Sequence, residues 1–246
     1  MSPTKLFYVI SHERSGTHYA INTILKNCID IKTLHNIGEW FGPYENHTRR
    51  FNHINEVNKS ISSMEGIIKS HCDVELFLSR YIVLPVIYVV RDPRDVLVSW
   101  WHYLNNDIYY KYNPEVPDLR CPSISEFIRR PVSDFLRLCY SLRGEFINVI
   151  ERWASHVAGW DKADNVLIVR YEDLQLDFKK TIQIIAQHIG SDLKEHLEPV
   201  KFGEGVSHLP RKGIIGDWKN WYSDPDLSLI DSVVRKYNLQ KYYFNP

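Results

Sequence analysis

Apolar residues along this chain fall into two kinds of pattern. Four short runs carry few or no polar positions: Leu6 to Ile10, Ile67-Ile68, Val83 to Val90, and Val166 to Val169. The first and third are almost wholly apolar, which predicts central strands buried on both faces, since half-exposed edge strands would alternate. Helical spacing follows them: Ala20, Ile21, Ile24 and Leu25 after the first, Val96, Trp100, Tyr103 and Leu104 after the third. Strand alternating with helix predicts an α/β fold, a single domain over residues 1–246 whose central parallel sheet is flanked by helices on both faces. Further helices are expected at Ser125 to Arg130, Gly144 to Trp160, Asp173 to Ile189 and Asp224 to Tyr237. Residues 105–122 hold three prolines and Tyr109, Tyr110 and Tyr112, and are expected to form a long loop, a flexible flap over the domain.

Composition narrows the classes. With 44% hydrophobic, 13% aromatic and 24% charged residues in 246, the chain can bury a sizeable core. Thirty basic and thirty acidic residues give no net charge, which argues against whole-protein attraction to nucleic acid or an anionic membrane, so neither is expected as a partner. The longest apolar run, Tyr81 to Val90, is broken by Pro85 and is well short of the roughly 20 residues that span a bilayer. Met1 to Ile10 lacks the basic region and cleavage site of a secretory signal, so a cytoplasmic location is expected. Cys28, Cys72, Cys121 and Cys139 form no CxxC pair, which favours reduced thiols. Histidines 12, 18, 35, 47 and 53 show no HExxH or comparable spacing, and no metal is expected. They read as loop residues or acceptor contacts, with His12 and His18 near the turn described next.

The segment Tyr8 to Leu25 runs from a strand through a polar turn into an amphipathic helix, aiming backbone N–H groups and the positive end of the helix dipole at whatever occupies the turn. Arg14 adds positive charge, Ser15 and Thr17 add hydroxyls, and Gly16 admits close approach. The loop suits a phosphate or sulfate, although Ser15-Gly16-Thr17 would also serve simply to turn the chain and start a helix. It is not GxxxxGK[ST], which counts against ATP or GTP. A second strand-to-helix junction follows Val90: Asp92 suits an N-cap, Pro93 the first helical position and Asp95 the third. Ser99 returns near the face on which Arg91 enters, and the pair reads as a second anion site; the plainer reading is a local ion pair between Arg91 and Asp95.

These segments resemble the sulfotransferases that use 3′-phosphoadenosine 5′-phosphosulfate. Their first loop reads roughly Pro-Lys-Ser-Gly-Thr-Thr-Trp, matched here by Arg14-Ser15-Gly16-Thr17-His18-Tyr19, with Arg14 in place of the lysine and Tyr19 in place of the adenine-stacking tryptophan. Lys69-Ser70-His71 is similar to the family's Lys-Thr-His, Arg91 and Ser99 match its 3′-phosphate pair, and Tyr171, in Arg170-Tyr171-Glu172-Asp173, matches a tyrosine near the adenine. Arg211-Lys212-Gly213-Ile214-Ile215-Gly216-Asp217-Trp218-Lys219-Asn220 fills every fixed position of the family's C-terminal segment. Trp153, His156, Val157 and Trp160 also resemble the family.

The resemblance implies a P-loop-like sulfotransferase fold and transfer of a sulfuryl group from that donor, as co-substrate, to a hydroxyl or amine of a small-molecule acceptor, releasing adenosine 3′,5′-bisphosphate (PAP). His71 would be the general base, with Glu39 as the alternative base that family members acting on protein or carbohydrate suggest. Arg14 and Lys69 would stabilise developing charge, Arg14 electrostatically only because a guanidinium gives up no proton. Arg14, Ser15, Gly16, Thr17, His18, Tyr19, Arg91, Ser99, Tyr171, Arg211, Lys212 and Gly213 would bind the donor. The family's Lys-Thr-Val-Glu dimer motif is not recognisable in Trp221 to Tyr237, so a monomer or weak homodimer is expected. Two other classes stand beside this one. A P-loop kinase-like phosphotransferase would share the architecture but lacks Gly-Lys-Ser/Thr here, and a regulatory PAP-binding module would bind without turnover.

Overall fold

In the first strand Phe7 and Val9 enter one core while Leu6, Tyr8 and Ile10 enter another, and this division explains why the whole run is apolar. The computed structural model describes residues 6–31, 33–36, 65–78, 83–112, 114, 116–133, 148–201, 204–205 and 211–244. Its sheet comprises β1 (Leu6–Ser11), β2 (Leu34–Asn36), β3 (Gly66–Ser70), β4 (Val86–Val90) and β5 (Val166–Arg170), in the order β2-β3-β1-β4-β5. Every neighbouring pair is parallel, so the carboxyl ends of all five strands lie along one edge. The register sets Ile10 beside Ser70 and Tyr88. That edge is where an open parallel sheet builds its crevice.

One face is covered by α1 (Thr17–Asn27) and a helix after β5, which bury Ala20, Ile21, Ile24, Ile182 and Ile185 against Phe7, Val9, Ile87 and Val89. Full burial of each such isoleucine contributes about 1.5–3 kcal/mol. The other face is covered, after the short helix α2 (Val74–Leu78), by α3 (Pro93–Leu104), by α4 (Asp107–Tyr112) and α5 (Ile124–Arg129), and by α6 (Val149–Asp161). Trp100, Trp153 and Trp160 pack there against Tyr8, Tyr88 and Phe127. No helix among the described residues is long and apolar enough to cross a membrane. The described cysteines, Cys28, Cys72 and Cys121, are buried; Cys139 lies outside the described residues.

Three local expectations change. The run from Val83 becomes strand only at Val86, after Pro85. Residues 105–122 are not one long loop: they contain α4, and Tyr109, Val116, Leu119 and Cys121 are buried in the same core as α3. Trp101 Nε1 donates to the Cys121 carbonyl at 2.8 Å, which ties that stretch to α3. The helix expected from Asp173 to Ile189 is two, α7 (Tyr171–Leu176) and α8 (Phe178–Ile189), broken where Asp177, a poor helix former, adopts φ −127° and ψ 48°. The last helix, α9 (Asp224–Lys236), starts at a capping box between Ser223 and Asp226. The expected helical stretch before Asn148 falls on residues 144–147, outside the described set.

Candidate active site

After Ser11 the chain turns through residues 12–16 and enters α1 without a side-chain cap or an acidic residue in the first turn, so the positive end of the helix faces the turn uncompensated. Arg14 is held at φ 65° and Gly16 at φ 94°, both left-handed. Only glycine fits at 16, because a Cβ there would stand 2.3 Å from Cδ2 of the Tyr171 ring. Ser15 is fully buried and its hydroxyl has no hydrogen-bond partner among the described residues, an uncommon state for a buried polar atom that a bound anion would remedy. Thr17 Oγ1 is bonded to Ser11 Oγ. His18 and Tyr19 follow in the first turn of α1 and are half-buried. The His12 backbone belongs to the turn but its side chain faces away from it: the ring is fully buried, edge-on to Trp100, with Nδ1 donating to the Glu13 carbonyl at 2.9 Å.

Parallel pairing of β1 and β3 brings His71, just past β3, against the end of β1. Its Nδ1 lies 2.7 Å from the Ser11 carbonyl, which only accepts, so Nδ1 carries the proton and Nε2 is the basic nitrogen of the neutral ring. Burial, helped by the charge of Lys69, holds the imidazole well below the ordinary histidine range. Lys69, on β3, is half-buried. Ser11, whose carbonyl orients His71 while its hydroxyl meets Thr17, was not foreseen, and only the strand register reveals it.

Asp92 caps α3 by accepting from the Arg94 N–H at 2.9 Å, with Pro93 behind it, as the sequence predicts. The buried Arg91 makes the plainer contact, 3.5 Å to Asp95, but its guanidinium also donates to the Ile214 carbonyl at 2.8 Å and lies 4.4 Å from the centre of the Tyr171 ring. Asp95 in turn accepts from the N–H groups of Gly216 (2.8 Å) and Trp218 (3.0 Å), which seats residues 211–218 on the start of α3. Ser99 Oγ accepts from Arg14 Nε at 3.3 Å, and the Arg14 guanidinium sits over the Tyr103 ring. Arg14 and Arg91, from the two strand-to-helix junctions, therefore flank the same stretch of α3.

Tyr171 joins the parts. Its ring lies against Gly16, 5.5 Å from the Tyr19 ring and under Arg91, while its hydroxyl donates to the Gly213 carbonyl at 3.0 Å. Arg211 and Lys212 pair with Asp217 at 2.7 and 3.5 Å; Lys212 is exposed. The anion loop, Arg91 and the C-terminal segment thus meet around one aromatic ring, and the neutral His71 stands at the end of β1. Glu39 lies outside the described residues, as does the Tyr112 side chain; Tyr103 stands under Arg14, Tyr109 is buried, and Tyr110 donates to the Leu104 carbonyl.

Comparison with known proteins supplies the family. A family model described as a sulfotransferase domain matches residues 7–204. Mouse sulfotransferase 2B1 is 30% identical over 199 residues, covering 69% of this chain and 53% of that protein; sulfotransferase 2A1 of Macaca fascicularis is 27% identical over 208 residues, covering 72% and 66%. The chain thus spans about half to two thirds of the length of these relatives. Among solved structures, mouse sulfotransferase SULT7A1 complexed with PAP superposes with a TM-score of 0.64 at 20% identity, over 97% of this chain and 89% of that one. A retinol dehydratase in complex with androsterone and PAP gives 0.57 at 18% identity, over 98% and 83%. The fold is shared with both, and with the family model covering most of its length the chain belongs to the sulfotransferase family.

Proposed function

We propose that the chain is an enzyme that transfers a sulfuryl group from 3′-phosphoadenosine 5′-phosphosulfate to a hydroxyl or amine of a small-molecule acceptor and releases PAP. The observation that carries the reading is the meeting of Gly16, Arg91 and Gly213 on Tyr171, beside a helix start whose Ser15 hydroxyl has no hydrogen-bond partner among the described residues. When bound, the donor supplies an activated sulfuryl group on a good leaving group. The N–H groups of the turn, Ser15 and Thr17 would receive its 5′ end, Tyr19 and Tyr171 its adenine, and Arg91, Ser99, Arg211, Lys212 and Gly213 its 3′-phosphate. His71 Nε2 takes the acceptor's proton as the new bond to sulfur forms and the bond to the bisphosphate breaks. Arg14 and Lys69 stabilise the charge that develops, Arg14 without giving up a proton.

The acceptor is proposed as a compact hydroxylated molecule, a choice supported by the androsterone and retinol named with two fold neighbours. Calorimetric binding of PAP, adenosine 5′-monophosphate and ATP, to wild type and Arg211→Ala, tests the reading. We expect PAP to bind at least about tenfold more tightly than the other two, a difference of about 1.4 kcal/mol, and the mutation to erode that margin. ATP binding as well as PAP would replace the reading with a kinase-like one. Tight PAP binding with no turnover across hydroxysteroid, phenol, retinoid and arylamine acceptors would make the chain a binding module.

A further inference from the structure

The two halves of the site are tied together from beneath by one face of α6. Arg152 on that helix is fully buried, and its guanidinium lies 3.1 Å from Asp73 Oδ1 and 3.6 Å from Glu13 Oε1. Glu13 immediately precedes Arg14, and Asp73 follows His71 by two residues, so one cation is shared between the segment that carries the loop charge and the segment that carries the base. One turn further along, His156 Nε2 donates to the His71 carbonyl at 3.2 Å while its Nδ1 accepts from the Tyr88 hydroxyl at 2.8 Å. Trp160 Nε1 then donates to the Cys72 carbonyl at 3.0 Å. Residues 71–73 therefore hang on α6 at three successive points; His156 also meets the His12 ring edge-on, and Arg152 is the side chain among these that brings charge across to the loop, at Glu13.

A buried guanidinium is costly unless carboxylates surround it, and replacing the whole charged cluster by apolar residues of the same volume is often neutral or stabilising. The carboxylates it does meet come from the two segments whose separation fixes the distance between Arg14 and His71. We propose that Arg152 is a positioning residue, which by pairing with Glu13 and Asp73 together sets the spacing between the charge-stabilising loop and the general base. The inference rests on the proposed sulfuryl transfer for its catalytic meaning, and on the geometry alone for the clamp. A guanidinium suits the task because its fork offers separate donors to two carboxylates at once, which an ammonium does less well.

Three variants test it: Arg152→Met, Arg152→Lys, and the neutral triple variant Arg152→Met/Glu13→Gln/Asp73→Asn, which leaves no uncompensated buried charge should the single Met variant fail to fold. Hydrogen exchange of the ligand-free proteins reads the clamp directly. In the triple variant we expect a melting temperature near wild type, yet exchange at least tenfold faster in both residues 12–17 and 70–73, and turnover at least tenfold lower, with Arg152→Lys intermediate in turnover. Wild-type exchange in either segment of the triple variant, or turnover that simply follows melting temperature across the three proteins, would overturn the proposal. Failure of wild type to bind PAP would instead overturn the functional reading, and the exchange measurement would still decide whether the clamp exists.

Discussion

In the proposed reaction His71 is the base on which the chemistry turns, and its protonation is set by one backbone atom. Because the Ser11 carbonyl takes the Nδ1 proton of His71, Nε2 is the nitrogen left to accept. With burial and then the Lys69 charge pushing the imidazole well below its usual range, the neutral, competent form persists as pH falls through 6.5. Turnover at saturating donor is therefore expected to stay level from pH 7.5 to 6.5 and to drop only at lower pH, where His71 finally protonates. His71→Ala should lower turnover by about 10²–10⁴-fold while PAP affinity changes little, since general-base removal acts on the transition state. A comparable loss in Glu39→Ala, with His71→Ala active, would move the base to Glu39.

At the scale of elements, the site is three strand-to-helix junctions of one parallel sheet with a C-terminal segment laid across them, and Asp95 decides how well that segment sits. Its two carboxylate oxygens hold the N–H groups of Gly216 and Trp218. Asp95→Asn leaves at most one of them an acceptor, at a cost of about 1–3 kcal/mol for the group left unsatisfied. In the proposed donor site the consequence falls on the 3′-phosphate: the ratio of PAP to adenosine 5′-monophosphate affinity should shrink by about five- to tenfold, and a calorimetric ratio equal to wild type would detach Asp95 from donor recognition. The junctions themselves were legible in the sequence, because β1 and β4 are apolar on both faces and Asp92-Pro93 can only begin a helix. The three-residue edge strand β2 carries too few positions to show a period, and the break at Asp177 hides in a helical pattern that continues on either side. Of the candidate site, the residues within contiguous motifs were readable, whereas Ser11, Glu13, Asp73 and Arg152 take their roles from contacts between segments 60 to 139 positions apart, which local pattern does not encode. His12 stands in the turn as expected, but a polar stretch of sequence does not reveal that its ring is turned inward, edge-on to Trp100.

For the whole molecule, the cluster behind the site makes stability depend on pH in a direction that can be worked out. His12 and His156 are fully buried, and burial first, then the Arg152 charge, holds both imidazoles well below 6.5. In the unfolded chain each would protonate near 6.5, so below that pH the unfolded state binds more protons and stability falls as pH falls. Each contributes a slope approaching about 1.4 kcal/mol per pH unit, or about 3 kcal/mol for the pair between pH 7.5 and 5.5, with the half-buried His71 adding in the same direction. Asp73, Asp95 and Glu172 oppose this: burial raises them, so they take up protons first in the folded state and favour it as pH falls from their elevated range. The test is the urea-unfolding free energy at pH 7.5, 6.5 and 5.5. We expect a loss of about 2–3 kcal/mol, a large share of the 5–15 kcal/mol typical of a domain, and an unchanged value would mean that these imidazoles titrate as they do in water. Such a loss also separates two causes of inactivity in acid. Saturating donor at about 100 times its Kd would restore about 2.7 kcal/mol of stability but leave the protonation of His71 to the site itself, so activity recovered by raising the donor at pH 5.5 would identify unfolding, not the base, as what fails first.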